Sequence, residues 1–177
     1  GFKSRTPHMM ILRPPLPSDE EVLRLAHREL ELDGSNFLLD AYRNEDDFIE
    51  FLNRVNNTAT GENLAVGRVQ ADFLVAEVEG EIVGRSSIRH SLNDWLFTYG
   101  GHIGYAVRPQ FRRLGYASEI LRQSLEVTRE LAIHKVLMTC NDDNIGSIRV
   151  IEKHGGVLEN KVMDGDALLR RYWIDLN

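Results

Sequence analysis

The chain has 177 residues, of which 42% are hydrophobic and 27% charged, the balance of an ordinary globular domain. Its 21 basic and 27 acidic residues give a net charge of −6, which disfavours a general nucleic-acid binder and slightly favours a cationic ligand. No apolar run approaches the roughly 20 residues of a membrane-spanning helix. The single cysteine excludes an internal disulfide and a cysteine-based metal site. We therefore expect one cytoplasmic domain whose partners include neither nucleic acid, membrane nor metal ion.

The first eight residues differ in character from the rest. They run from Gly1 to His8 without an apolar segment, so they lack the composition of a secretory signal. A leading glycine and a His-Met junction are typical of an expression tag. We expect residues 1–8 to be a tag remnant and residues 9–177 to form the domain.

The first half of the chain predicts one strand, two helices and a β-hairpin. Ser18 and Glu21 have the spacing of a capping box, in which side chains satisfy the free N–H groups at a helix start. Glu79-Gly80-Glu81 is typical of a hairpin turn. The predicted elements are a strand at Met10–Arg13, a helix after Ser18, a helix over Glu45–Val55, and strands over Phe73–Val78 and Ile82–Ile88.

The second half alternates strands and helices before a final pair of strands. The predicted elements are a strand over His102–Val107, a helix over Tyr116–Ala132, a strand over Val136–Cys140, a helix over Asn144–His154, and strands over Val157–Val162 and Leu168–Ile174. The complete order is β-α-α-β-β-β-α-β-α-β-β. It indicates a single α/β (α+β) domain in which helices flank a central, mixed, twisted sheet.

The segment from Val107 to Ala117 carries the clearest chemical signal. A strand leads into a basic loop, and the loop opens directly into a helix whose first N–H groups and positive dipole end favour phosphate. Gly115 allows the backbone to approach a ligand closely, and Arg112 and Arg113 add positive charge. The glycine pattern is neither that of a dinucleotide fold nor that of a P-loop.

Two motifs resemble the GNAT superfamily of N-acetyltransferases. Arg112-x-x-Gly115-x-Ala117 is similar to the family's acetyl-CoA signature, Gln/Arg-x-x-Gly-x-Gly/Ala. The segment from Asn144 to Gly156 resembles the later family motif, an Asn-x-x-Ala/Ser helix that closes at Glu-Lys-x-Gly. The resemblance extends from about Met10 to Ile174. Residues 89–93 and 100–105 are similar to a bacterial subgroup of predicted acetyltransferases.

The resemblance implies an acetyl-CoA-dependent N-acetyltransferase with the GNAT fold. Two central strands, at 105–107 and 136–140, would part to admit pantetheine, and a primary amine of a small molecule or peptide would attack the thioester directly in a ternary complex. The cofactor-binding residues implied by the resemblance are Tyr105, Ala106, Val107, Arg112, Arg113, Leu114, Gly115, Tyr116, Ala117, Ser118, Asn144 and Ser147.

The groups that would move protons are less well defined. His90 and His102 are the candidate bases, because an imidazole can accept a proton near neutral pH, but each is also compatible with a purely structural role. Ile151 stands where the family often has a tyrosine general acid. The candidates to replace that tyrosine are Ser147, Cys140 and Tyr172, and Cys140 is more typical of a buried small hydrophobe than of a reactive thiol.

Two alternatives stay open. The first is a non-catalytic acyl-CoA-binding sensor or partner module, which the isoleucine at position 151 would favour. The second is a protein acetyltransferase that acts on lysine or N-terminal amines. The resemblance also allows a homodimer. Asn93 and Trp95 belong to a segment expected to wall the acceptor site, which varies freely among such enzymes.

Overall fold

The computed structural model describes residues 9–177, so the predicted tag remnant lies outside the described residues. The strands are β1 (Ile11–Arg13), β2 (Ala71–Val78), β3 (Glu81–Arg89), β4 (Ile103–Val107), β5 (Lys135–Asn141), β6 (Val157–Asp164) and β7 (Ala167–Asp175). The helices are α1 (Glu20–Glu31), α2 (Phe48–Thr60), α3 (Tyr116–Glu130) and α4 (Ile145–Lys153). This order of strands and helices confirms the predicted one.

The strands form two antiparallel sheets. The first has the order β1-β2-β3-β4, and the second has the order β5-β7-β6. The predicted α/β (α+β) class is confirmed. Every hydrogen-bonded strand pair in the described part of the chain is antiparallel, so the expected mixed character of the sheet is absent from the ladders themselves.

The hairpin between β2 and β3 forms where the sequence predicts it. Glu79 and Gly80 have φ values of 51° and 81°. A two-residue turn with positive φ at both positions matches the right-handed twist of the adjoining strands. The hairpin places β3 in the middle of the first sheet, next to β4.

The beginnings of the first two helices differ from the prediction. The predicted capping box at Ser18 is wrong, because Ser18 lies in a 3-10 turn and α1 starts at Glu20. The neighbouring Asp19 carboxylate instead accepts the Leu16 N–H at 2.7 Å and pairs with Arg13. The second helix starts three residues later and ends five residues later than predicted, since Asp47 caps its start and the next helix breaker is Gly61.

Helices cover the two sides of the first sheet with different cores. Residues of α1 and α2 such as Leu23 and Phe51 pack with Val75 on one side. Residues of α3 and α4 pack with β5 and β7 in a second cluster, which includes Leu121 and Tyr172. Burial of each such large apolar side chain stabilises the fold by roughly 2 kcal/mol. The sheet is therefore held rigidly while β4 runs along its edge.

Candidate active site

Strands β4 and β5 contact each other at one end and then separate. The His102 N–H donates to the Leu137 carbonyl at 2.8 Å, and the Leu137 N–H donates to His102 Nδ1 at 2.9 Å. A Cβ at Gly101, where φ is 70°, would lie 2.6 Å from the Leu137 oxygen, so only glycine allows this approach. Beyond this contact the two strands belong to different sheets. The separation occurs between the strands that the sequence analysis expects to part.

A cavity of about 300 Å³ occupies the space between the parted strands. Apolar side chains and a few polar groups surround it, which is typical of a ligand site. The lining residues are Ile103, Gly104, Tyr105, Met138, Thr139, Cys140, Asn141, Asn144, Ser147, Ile151 and Leu169. The strand edges that face the cavity can offer backbone N–H and C=O groups to a narrow, amide-containing ligand.

The loop before α3 has the geometry of an anion site. Arg113 and Gly115 both have positive φ, at 64° and 85°, and α3 begins immediately afterwards. The Glu119 N–H donates to the Gly115 carbonyl at 3.2 Å, and amides ahead of it have no intrahelical acceptor, as at any helix start. The Arg112 guanidinium pairs with Asp33 at 2.9 Å and donates to the Val107 carbonyl. The loop therefore combines exposed amides with positive charge.

The expected cofactor residues fall into two groups in the structure. Tyr105, Asn144 and Ser147 line the cavity, whereas Ala106 and Val107 continue β4 beyond it and pair with β3. The residues from Arg112 to Ser118 form the loop and the first turn of α3. The Tyr116 side chain is buried in the core. At position 116 the backbone is therefore the part available to a ligand.

A hydroxyl pair spans the cavity between β4 and α4. The Tyr105 hydroxyl donates to Ser147 Oγ at 3.2 Å, and burial raises the pKa of the phenol. Asn144 holds Ser147 in place, since its Oδ1 accepts the Ser147 N–H at 3.2 Å. The phenol therefore stays protonated at neutral pH and can act as a proton donor within the cavity. Sequence reasoning did not identify Tyr105 in this role, because the contact joins residues 42 positions apart.

The other candidate proton donors have less suitable surroundings. Burial raises the pKa of Cys140 to about 11, which keeps it a thiol, and the half-buried residue lines the cavity. Ile151 is buried and lines the cavity. The Tyr172 hydroxyl does not line it, and is bonded to Glu152 at 3.2 Å and Arg170 at 3.0 Å.

Neither of the two candidate bases lines the cavity between β4 and β5. Neither lines a second, larger cavity, which lies between α2 and strands β2 and β3. His102 is 6% exposed, and burial together with the charge of Arg89 lowers its pKa to about 4. Its Nδ1 accepts the Leu137 N–H, so His102 joins β4 to β5. His90 directly follows β3, and its Nε2 lies 2.8 Å from Asp72 Oδ2.

A larger cavity of about 820 Å³ lies between α2, the segments on either side of it, and β2 and β3. Asn93 and Trp95, whose segment the sequence predicts to wall the acceptor site, line it. Its charged lining comprises Arg43, Arg54, Arg68 and Arg89 against Asp40 and Asp72. The lining of this cavity therefore has more basic than acidic side chains. The chain as a whole has a net negative charge, which favours a cationic ligand. The sequence analysis did not predict this excess of basic side chains, although arginines at positions 85 and 89 interrupt a buried strand.

A turn of π-helix, Leu96–Gly100, borders the larger cavity and was not predicted. The buried guanidinium of Arg171 in β7 donates to the Phe97 carbonyl at 2.7 and 3.1 Å and pairs with Glu159 at 2.6 Å.

Residues 9–177 contain no helix that is both long and apolar enough to cross a membrane, and no cluster of metal-ligating side chains.

Comparison with known proteins identifies relatives of the whole domain. The sequence profile of the acetyltransferase (GNAT) domain family matches residues 10–157. The uncharacterized N-acetyltransferase YnaD of Bacillus subtilis (strain 168) is 38% identical over 61 residues, a match that covers 32% of this chain and only 36% of that protein. The structure of the microcin C7 self-immunity acetyltransferase MccE, in complex with acetyl-CoA and AMP, has a TM-score of 0.70 at 19% identity, with 97% of this chain and 98% of that chain covered. A Salmonella typhimurium acetyltransferase that modifies the N-terminal serine of ribosomal protein L7/L12 has a TM-score of 0.67 at 19% identity, with 96% of each chain covered.

Proposed function

Because the chain belongs to the GNAT family of acetyltransferases, we propose that it transfers the acetyl group of acetyl-CoA to a primary amine of a small molecule or peptide by direct attack in a ternary complex. The observation that carries the proposal is the separation of β4 from β5 around a cavity, with a basic, glycine-containing loop at the start of α3. We place this reaction in the cytoplasm, consistent with the single, half-buried free cysteine.

The residues present fit acetyl-CoA. Tyr105, Asn144 and Ser147 would hold pantetheine in the gap, and the backbone amides from Arg113 to Ser118 would hold the pyrophosphate, with Arg112 nearby. When bound, acetyl-CoA supplies a thioester carbonyl that an amine can attack and a thiolate that can leave. The acetyl-CoA-bound state of the MccE structure supports this assignment at the level of the fold.

The two cavities bring the reactants to opposite sides of one strand. Gly104 of β4 lines the smaller cavity, and its partner in the ladder, Ser87 of β3, lines the larger one. An amine held in the larger cavity, which we call the acceptor cavity, is thus one strand away from the cofactor site. Holding two reactants in this way removes much of the entropic cost of their encounter, which is a main source of rate in a direct transfer.

Proton transfer needs an acceptor for the amine proton and a donor for the leaving thiolate. Of the two candidate bases, His90 and His102, we propose His90, because Asp72 orients one of its ring nitrogens and the other is available. A proton on His102 Nδ1 would break its bond to Leu137. We propose the Tyr105 hydroxyl as the donor, with Ser147 fixing its position.

The proposed function is tested by the release of thiol from acetyl-CoA in the presence of single amines. Gly115→Glu places a like charge and a side chain at the proposed pyrophosphate site, so acetyl-CoA binding and turnover should both be lost. Gly165→Glu is the matched control, because Gly165, in the turn between β6 and β7, also has a positive φ, of 59°, and has no neighbouring atom within 4 Å of an added Cβ. If the wild-type protein fails to bind acetyl-CoA, the proposal is wrong.

Acetylation of a protein N-terminus is the second candidate. The Salmonella structure described above, whose product is an acetylated N-terminal serine, favours it over other protein substrates. A peptide that begins with serine therefore belongs in the amine panel. The sensor alternative has less support, because Tyr105 offers a hydroxyl in the cavity that the isoleucine at position 151 lacks.

A further inference from the structure

Two arginines of β3 point to the same side of the first sheet. Positions 85 and 89 share a face because side chains alternate along a strand, and this face packs toward α1 and α2. Their Nη1 atoms lie 3.8 Å (Arg85) and 3.4 Å (Arg89) from the place that a Gly104 Cβ would occupy. The absence of a side chain at Gly104 thus makes room for two guanidinium groups, which converge beside β4.

Among residues 9–177, these two charges have no carboxylate partner. Arg85 is 7% exposed, and it donates to the carbonyls of Phe37 at 2.8 Å and Asn36 at 2.9 Å. Arg89 donates to the Gly100 carbonyl at 3.3 Å. Within residues 9–177, neither guanidinium forms an ion pair, unlike most of the other arginines around the acceptor cavity.

The nearest acidic influence on Arg89 is already engaged. Asp40 acts on Arg89 through its charge, but its carboxylate pairs with Arg68 at 2.5 Å. Burial, together with the charge of Arg89, lowers the pKa of Arg85 to about 9, so the group is still protonated at neutral pH. Two buried like charges without a counter-ion are costly, and such an arrangement persists when a ligand supplies the opposite charge.

We propose that Arg89, with the positive charge of Arg85 beside it, binds a carboxylate or phosphate group of the acceptor, so that the substrate is an anionic amine. This inference rests on the proposed function and names its substrate class. Arg89 is the main contact, because it lines the acceptor cavity and its Nε and Nη2 donate to no acceptor among residues 9–177. Arg85 adds its positive charge beside Arg89, and its hydrogen bonds hold the loop at Asn36 and Phe37.

The position of the two arginines also limits the shape of the acceptor. Gly104 lines the cofactor cavity on one side, and on the other side it lies against both guanidinium groups. An anion bound there is close to the thioester, so the amine and the anion must be near each other in the same molecule. An α-amino acid or an aminoalkyl phosphate meets this requirement, whereas a long polyamine does not.

The test compares matched amines with wild-type protein and three variants. The panel is an α-amino acid and its carboxamide, phosphoethanolamine and ethanolamine, and spermidine. Each charge-assisted hydrogen bond contributes roughly a factor of 10, so two bonds from Arg89 Nε and Nη2 should give the wild type a kcat/KM about 100-fold higher for the anionic member of at least one pair. The pair that shows the preference distinguishes carboxylate from phosphate.

Arg89→Gln should remove this preference, mainly by raising KM for the anionic amine, and should leave the affinity for acetyl-CoA unchanged. Arg89→Lys should restore part of it. Arg28→Gln is the matched control, because Arg28 is an exposed arginine of α1 and its loss should change nothing. The inference would be overturned if the wild type had as high a kcat/KM for the neutral or cationic amines as for the anionic ones. It would also be overturned if Arg89→Gln lost activity equally toward both members of a pair.

A second measurement does not depend on turnover. The melting temperature of the wild type and of Arg28→Gln should rise with sodium phosphate or sodium malonate, relative to sodium chloride of equal ionic strength, in the presence of saturating acetyl-CoA. Arg89→Gln should show no such rise. Failure of acetyl-CoA to bind would contradict the proposed function, whereas the absence of an anion-dependent rise in the wild type would contradict the anion site alone.

Discussion

Replacement of His102 tests the contact that joins β4 to β5. The neutral imidazole accepts the Leu137 N–H at 2.9 Å, and burial lowers its pKa from 6.5 to about 4. An unfolded chain therefore binds a proton at His102 more readily than the folded chain between these two values. The stabilisation is complete above pH 6.5, decreases as the pH falls, and is gone below about pH 4.

The size of this effect follows from the pKa difference. One pKa unit corresponds to about 1.4 kcal/mol, so a shift of this size gives about 3 kcal/mol at most, and partial access of water reduces it to about 2 kcal/mol. His102→Asn keeps an acceptor near the position of Nδ1 but cannot take up a proton. His102→Leu removes the acceptor and should cost about 2 kcal/mol at every pH, because it leaves a buried N–H unsatisfied.

Urea unfolding between pH 7.5 and 4.5, followed by tryptophan fluorescence, measures these differences. The free energy of unfolding of the wild type should fall by about 2 kcal/mol more than that of His102→Asn over this range, since other titrating groups contribute equally to both proteins. Parallel curves for the two proteins would refute the reasoning. We also expect His102→Asn to retain acetyl transfer at pH 7.5, and a large loss of kcat in the folded variant would instead assign His102 the role of base.

Two further predictions concern the cavity and its neck. Tyr105→Phe removes the proposed proton donor, so kcat should fall by about 10-fold or more in the thiol-release assay, and an unchanged kcat would exclude the role. Acetyl-CoA affinity and melting temperature should change little, because the variant keeps the aromatic ring and the β4 backbone that would hold pantetheine. Gly101→Ala should destabilise the fold by about 3 kcal/mol, because Gly101 combines a positive φ and a ψ of −176° with a 2.6 Å approach to the Leu137 carbonyl. Gly34→Ala also has a positive φ but no neighbouring atom within 4 Å, and should cost about 1 kcal/mol by chemical denaturation.

Local sequence patterns were sufficient for most of the secondary structure. Apolar periodicity located α3 and the last strand pair to within a few residues, and the Glu79-Gly80 turn followed from the conformational freedom that such a turn requires. The capping box failed because Ser18 meets the local pattern, while the neighbouring Asp19 makes bonds that include a partner outside the helix, Arg13. Local rules do not include such partners.

The candidate site was predictable only in part, and the reason is similar. The motifs located the α3 loop, Asn144 and Ser147, because each depends on residues close together in the chain. The Tyr105–Ser147 pair and the convergence of Arg85 with Arg89 over Gly104 depend on strand register and on the parting of two sheets. Neither is encoded in a short segment. The resemblance to the GNAT superfamily is confirmed by the family match.

Because β4 and β5 part, each strand has an unpaired edge that faces the cavity between them. Each strand is paired on one side only, β4 with β3 and β5 with β7. Exposed strand edges recruit other strands and are a common origin of aggregation. A ligand that lies in the gap covers both edges as an added strand would. We therefore expect protein stripped of acetyl-CoA to aggregate faster on gentle heating than protein saturated with it, so that the substrate also acts as a folding stabiliser.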